Sequence, residues 1–101
     1  MKYDKLVRDG IPDKIRRDGK TSRTHVADDT EFAAKLRAKL REEVDEFLAD
    51  GNTEELADIL EVVYALSELD RIGRGKLEDA RKRKRSEVGG FDDRIILDEV
   101  D

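Results

Sequence analysis

No cysteine occurs in the 101 residues, which excludes disulfides, thiolate metal sites and thiol nucleophiles. A single histidine, His25, leaves no imidazole pair to ligate a metal, and its setting among polar and Thr residues makes it a surface residue. Aromatic residues make up only 5% and the net charge is −5, so the chain as a whole has no bias toward nucleic acid or anionic membrane. No apolar run approaches the ~20 residues of a membrane span. The amino terminus carries no signal-peptide pattern, and a cytoplasmic protein is expected.

What the chain has in quantity is charge. Charged residues reach 47% against 37% hydrophobic, a balance close to that of disordered chains, yet the apolar residues recur with helical period and argue for a folded protein. The length suits one domain, residues 1–101, with a small core.

The expected elements follow from punctuation and period. Gly10-Ile11-Pro12 leads into a brief helix over 12–18, ended by Gly19, since proline is favoured in a first helical turn. Thr and Val residues over 21–27 have strand character. Asp28-Asp29-Thr30 supplies N-cap chemistry for a long helix to about residue 49, Gly51 stops it, and Asn52 or Thr53 caps a second helix reaching about residue 70. Gly73 and Gly75 mark a turn before a third long helix over 76–87, and residues 94–100 again have strand character. The fold class is mainly α, with a possible small two-stranded β element.

The helical hairpin around Gly51 is where chemistry concentrates. Leu36, Leu40 and Phe47 form an apolar row, and Glu43, seven residues after Leu36, falls on it. Glu46 lies one turn on at the row's edge, and Lys39 borders the row from the other end. On the second helix the row Val62, Ala65, Leu69 runs backward onto Asp58 and Glu55. An antiparallel hairpin with a rise of about 1.5 Å per residue sets Glu43 and Glu46 level with Glu55 and Asp58. Inward acids that face one another take up protons or hold cations. All-oxygen ligands suit a hard divalent ion, Mg²⁺ first and Mn²⁺ as its substitute.

A blander reading competes with this one. With 26 Asp and Glu residues, such spacings arise by chance, and most acids in charged helices are solvated or paired at i,i+4. Position separates the two: Glu54, Glu61 and Glu68 form an outer stripe, whereas Glu43, Glu55 and Asp58 interrupt apolar rows. The second helix also carries apolar residues round most of its circumference, among them Leu56, Leu60, Val63 and Tyr64. More than one partner helix is needed to bury it, so a homo-oligomer is expected. The run Arg81-Lys82-Arg83-Lys84-Arg85 points in every direction on a helix and is not one patch.

The motif Glu42-Glu43-x-x-Glu46 followed by Glu55-x-x-Asp58 resembles the all-α nucleoside triphosphate pyrophosphohydrolase superfamily, the MazG-like proteins. Lys5-Leu6-Val7-Arg8-Asp9 with Ile11-Pro12, and Lys84-Arg85 with Gly89-Gly90-Phe91 and Arg94-Ile95, resemble the two ends of its compact phosphoribosyl-ATP pyrophosphohydrolase-like subgroup. The resemblance implies a helical bundle completed as a homodimer or homotetramer. It also implies Mg²⁺-dependent hydrolysis of the α-β phosphoanhydride of a nucleotide to a nucleoside monophosphate and pyrophosphate. By the same motif Glu43, Glu46, Glu55 and Asp58 would ligate metal, and Glu42, Glu43 and Glu46 would be the catalytic acids. Lys5, Arg8, Lys39, Lys84, Arg85 and Arg94 would contact the substrate. Gly10 and Val88 stand where the subgroup usually has a cation. Two readings compete with the enzyme: a catalytically idle helical oligomer that binds a nucleotide, and a basic-helix nucleic-acid binder.

Overall fold

A computed structural model describes residues 3–101. Four helices follow one another: α1 (Ile11–Arg17), α2 (Asp29–Asp50), α3 (Thr53–Leu69) and α4 (Gly73–Val88). The chain is mainly α. Among the described residues there is no strand, which corrects the expected β element at 21–27 and 94–100. Both stretches are β-branched enough for a strand, but a strand needs a ladder partner and neither finds one. Arg94 also adopts φ 59°, which interrupts any extended run through the second stretch.

Local chemistry explains the helix ends. The Asp28 carboxylate accepts from the Glu31 N–H at 2.8 Å, and the Asn52 side chain accepts from the Glu54 N–H at 2.9 Å, so each long helix has a side-chain N-cap. Between them Gly51 sits at φ 67°, a left-handed conformation costly for any residue with a Cβ, and donates its N–H to the Phe47 carbonyl at 2.7 Å. Two residues therefore reverse the chain, and α2 and α3 pack as a hairpin. Helix α4 begins at Gly73, three residues before the expected start, because Arg71 at φ 62° completes the turn earlier than the glycines suggested.

The hairpin interface is thin. Leu36, 2% exposed, and Val62, 8%, are its only buried apolar residues among those described, joined by Ser67 and Glu43. Ser67 satisfies its hydroxyl by donating to the Tyr64 carbonyl at 2.7 Å. The segment before α1 crosses this hairpin rather than extending away. Lys35 Nζ holds the Asp4 carbonyl at 2.8 Å, and Lys5 and Arg8 reach acids of α2 and α3. The α2–α3 interface therefore carries most of the fold's stability. Leu36→Ala should lower it by about 3 kcal/mol, as expected for emptying a buried leucine site. An unfolding free energy from urea titration within a few tenths of a kcal/mol of wild type would show that the interface holds elsewhere.

Candidate metal centre

Helix α2 brings Glu43 into the hairpin because the residue lies seven after Leu36, two turns along the same buried row. It is 7% exposed. Helix α3 runs back alongside and sets Glu55 and Asp58 opposite it. One carboxylate oxygen from each of Glu43, Glu55 and Asp58 can be chosen so that all lie within 4.8 Å of one another. Octahedral Mg²⁺ with oxygens at about 2.0–2.1 Å spaces its ligands about 2.9 Å apart in cis and about 4.2 Å in trans. The triplet therefore needs only small side-chain rotations to surround such an ion.

Glu46 falls outside the triplet but borders it, its carboxylate standing beside that of Glu55. Glu42 turns the other way. Its Oε1 takes the Lys5 ammonium at 3.2 Å and its Oε2 takes Lys39 at 3.5 Å.

Cations ring the acids. Lys39 Nζ sits 3.3 Å from Glu43 Oε1, and Arg8 Nη2 sits 2.9 Å from Asp58 Oδ1. These pairs leave one atom out: Glu43 Oε2 is buried with no hydrogen-bond partner among the described residues. A buried carboxylate oxygen without a donor is costly. It is also what a cation site requires, so the residues present fit a hard divalent ion.

The electrostatics agree with this geometry. Burial pushes the Glu43 carboxyl above its ordinary range; the Lys39 hydrogen bond opposes that, while Glu46 and Asp58 add repulsion. Glu55 is raised as well, by desolvation first and then by Glu46, Glu43 and Asp58. Partial burial also works against ionised Glu42, but Lys5 and Lys39 outweigh it and hold that carboxyl below the ordinary range. Within one cluster the acids thus divide into a committed carboxylate, Glu42, and two that are strained as anions.

An open cleft of about 360 Å³ adjoins the acids. Arg8, Asp9, Lys39, Glu43 and Glu61 supply its charged lining, and Phe32, Leu36 and Val62 form an apolar wall. Sequence reasoning overlooked this cleft, although a signal existed: Phe32 stands one turn before Leu36 on the same row. The remaining expected contacts form no ion pair with these acids. Lys84 and Arg94 are exposed on α4 and beyond it. Arg85 Nη2 pairs with Asp92 at 3.6 Å. His25 is exposed, as expected, and meets Glu31 at 2.9 Å.

Compared with protein-family models, curated proteins and solved structures, the chain matches none. The functional reading therefore rests on the residues themselves.

The raised carboxyls of Glu43 and Glu55 bind protons more tightly folded than unfolded. Their charged forms cost stability at neutral pH, and that cost is relieved as pH falls through their raised values. Glu42 acts oppositely: its stabilisation is present above the ordinary carboxylate range and is lost only as pH falls through its lowered value. Without metal, the melting temperature should rise on mild acidification from neutral pH and fall on further acidification. With Mg²⁺ or Mn²⁺ at about 100 times its dissociation constant, stability at neutral pH should gain about 2.7 kcal/mol. Thermal melts that only decline with acid, or that ignore the metal, would contradict this electrostatic account.

Proposed function

We propose that the chain is a metal-dependent nucleotide pyrophosphohydrolase, cleaving the α-β phosphoanhydride to release a nucleoside monophosphate and pyrophosphate. The observation that carries this reading is the Glu43, Glu55, Asp58 triplet, together with the unpartnered Oε2 of Glu43, which itself lines the cleft. A nucleotide needs a site with two characters, one for anionic phosphates and one for a flat, largely apolar base. The cleft supplies both, and its volume falls in the range of about 300–1,000 Å³ typical of small-molecule sites.

In this reading Glu43, Glu55 and Asp58 hold Mg²⁺, with Mn²⁺ as a substitute and Glu46 as an adjoining ligand or base. Bound Mg²⁺ supplies Lewis acidity, neutralising phosphate charge and making water a better nucleophile. The chain's own residues do the rest by positioning and charge. Arg8 and Lys39 offer cations to the phosphates at the charged end of the cleft, and Lys5 anchors Glu42 beside them. Glu46 is exposed beside Glu55 and has no cation of its own among the described residues, so it is the carboxylate best placed to take a proton from attacking water. Glu42, held ionised by two ammoniums, is the poorer base. That water's oxygen joins phosphorus, and the anhydride oxygen leaves with the other fragment. Lys84, Arg85 and Arg94 are not carried into this site.

The enzyme is proposed to work as a homodimer or homotetramer built on α3. Leu56 and Leu60, each 48% exposed, and Leu48 at 74% support this, since the protomer leaves them uncovered.

Pure protein incubated with a panel of nucleotides and Mg²⁺ should release pyrophosphate and monophosphate in equal amounts. Glu43→Gln, Asp58→Asn and Glu46→Gln should each reduce the rate by about 100-fold or more, while leaving helix content unchanged. Nucleotide binding without any product would favour the idle module instead. Product release that survives Glu43→Gln would place the chemistry elsewhere.

A further inference from the structure

Two of the three triplet carboxylates already hold a cation. Arg8 Nη2 stands 2.9 Å from Asp58 Oδ1 and Lys39 Nζ stands 3.3 Å from Glu43 Oε1, whereas Glu55 forms no ion pair among the described residues. One guanidinium and one ammonium together carry two positive charges, the charge of a single divalent ion. Neither cation is committed to its acid. Arg8 holds Asp58 through one contact between partly exposed side chains, a kind of pair that is weak in water. Lys39 divides its ammonium between Glu43 at 3.3 Å and Glu42 at 3.5 Å.

Each cation has a second acid within reach. For Lys39 it is Glu42, whose Oε2 it already touches. For Arg8 it is Glu61, which lines the same cleft and forms no ion pair among the described residues. Glu61 follows Asp58 by three residues on α3, so their carboxylates are neighbours on the helix surface. The Arg8 backbone, by contrast, is tied down on both sides. Lys35 Nζ meets the Asp4 carbonyl at 2.8 Å and its carboxylate at 3.2 Å, holding that residue at φ 53°, and Lys5 binds Glu42 at 3.2 Å. Beyond it, the Arg8 carbonyl accepts from the Ile11 N–H at 3.0 Å. A change of acid at Arg8 therefore needs only its side chain to turn.

A donor beside a metal ligand can support that ligand or occupy its place. Here both donors are full positive charges on acids that a divalent ion would need, and their repulsion with the ion falls when they step back. We infer that Arg8 and Lys39 stand in for the metal: without it they neutralise Asp58 and Glu43, and when a divalent ion enters they give way, Arg8 to Glu61 and Lys39 to Glu42. The inference rests on the metal-centre reading above and on no reaction there. The two side chains thereby compete with the ion and set its affinity.

Calorimetric titration of the metal-free full chain with Mn²⁺ tests this with no turnover involved. Arg8→Gln and Lys39→Gln should each bind Mn²⁺ about fivefold tighter than the unsubstituted chain, with helix content checked by circular dichroism. Lys5→Gln removes the same charge from an acid outside the triplet and should change the affinity much less. A donor that only supports its ligand predicts the opposite sign, a loss of about 10-fold to 100-fold. Failure of either substitution to tighten binding overturns the stand-in role of that residue, and a Lys5→Gln chain that tightens as much as the others overturns both. Glu61→Gln should weaken Mn²⁺ binding more in the unsubstituted chain than in the Arg8→Gln chain, and equal effects overturn the transfer to Glu61. If no chain takes up Mn²⁺ at all, the metal centre itself is overturned and this inference with it.

Discussion

Glu43 occupies a position that an apolar side chain would fill more cheaply. It lies in the interface between the two long helices, close to Leu36 on its own row and facing α3, and its charge there has to be compensated. Lys39 compensates half of it, binding Oε1 from one turn earlier on α2. The other oxygen has no hydrogen-bond partner among the described residues, and two more acids, Glu55 and Asp58, stand beside the carboxylate. A hairpin whose core contact is partly repulsive is a poor way to gain stability and a direct way to build a cation site, because strain in the empty state is relieved by the ion.

The surrounding cations keep that arrangement tolerable. Arg8 reaches across from the segment before α1 to Asp58, and Lys5 from the same segment to Glu42. Each of these pairs is partly exposed and worth little alone. Together they fold the segment over the hairpin, so that it forms one wall of the cleft beside the acids. The same contacts therefore shape the site and limit its charge. The division among carboxyls follows: Glu42 is held as an anion, whereas Glu43 and Glu55 resist ionisation.

Much of this was legible from residue order. Helical period, Gly51 and the Asn52 cap locate the hairpin, and the place of Glu43 on the Leu36 row makes it an inward acid. The acidic stripe Glu54, Glu61, Glu68 is exposed as its spacing requires, with Glu61 also bordering the cleft. The failures share a cause. Strand character at 21–27 and 94–100 is a statement about side chains, while a strand depends on a partner brought alongside by the rest of the fold. The paths of Lys5 and Arg8 to their acids, about 37 and 50 residues distant in sequence, likewise depend on tertiary packing.

Anomalous diffraction from crystals soaked in Mn²⁺ puts the central claim to its most direct test. The account predicts a peak bounded by Glu43, Glu55 and Asp58, within about 2.0–2.2 Å of an oxygen from each. A map with no peak there, or with manganese bound only at scattered surface acids, would contradict it.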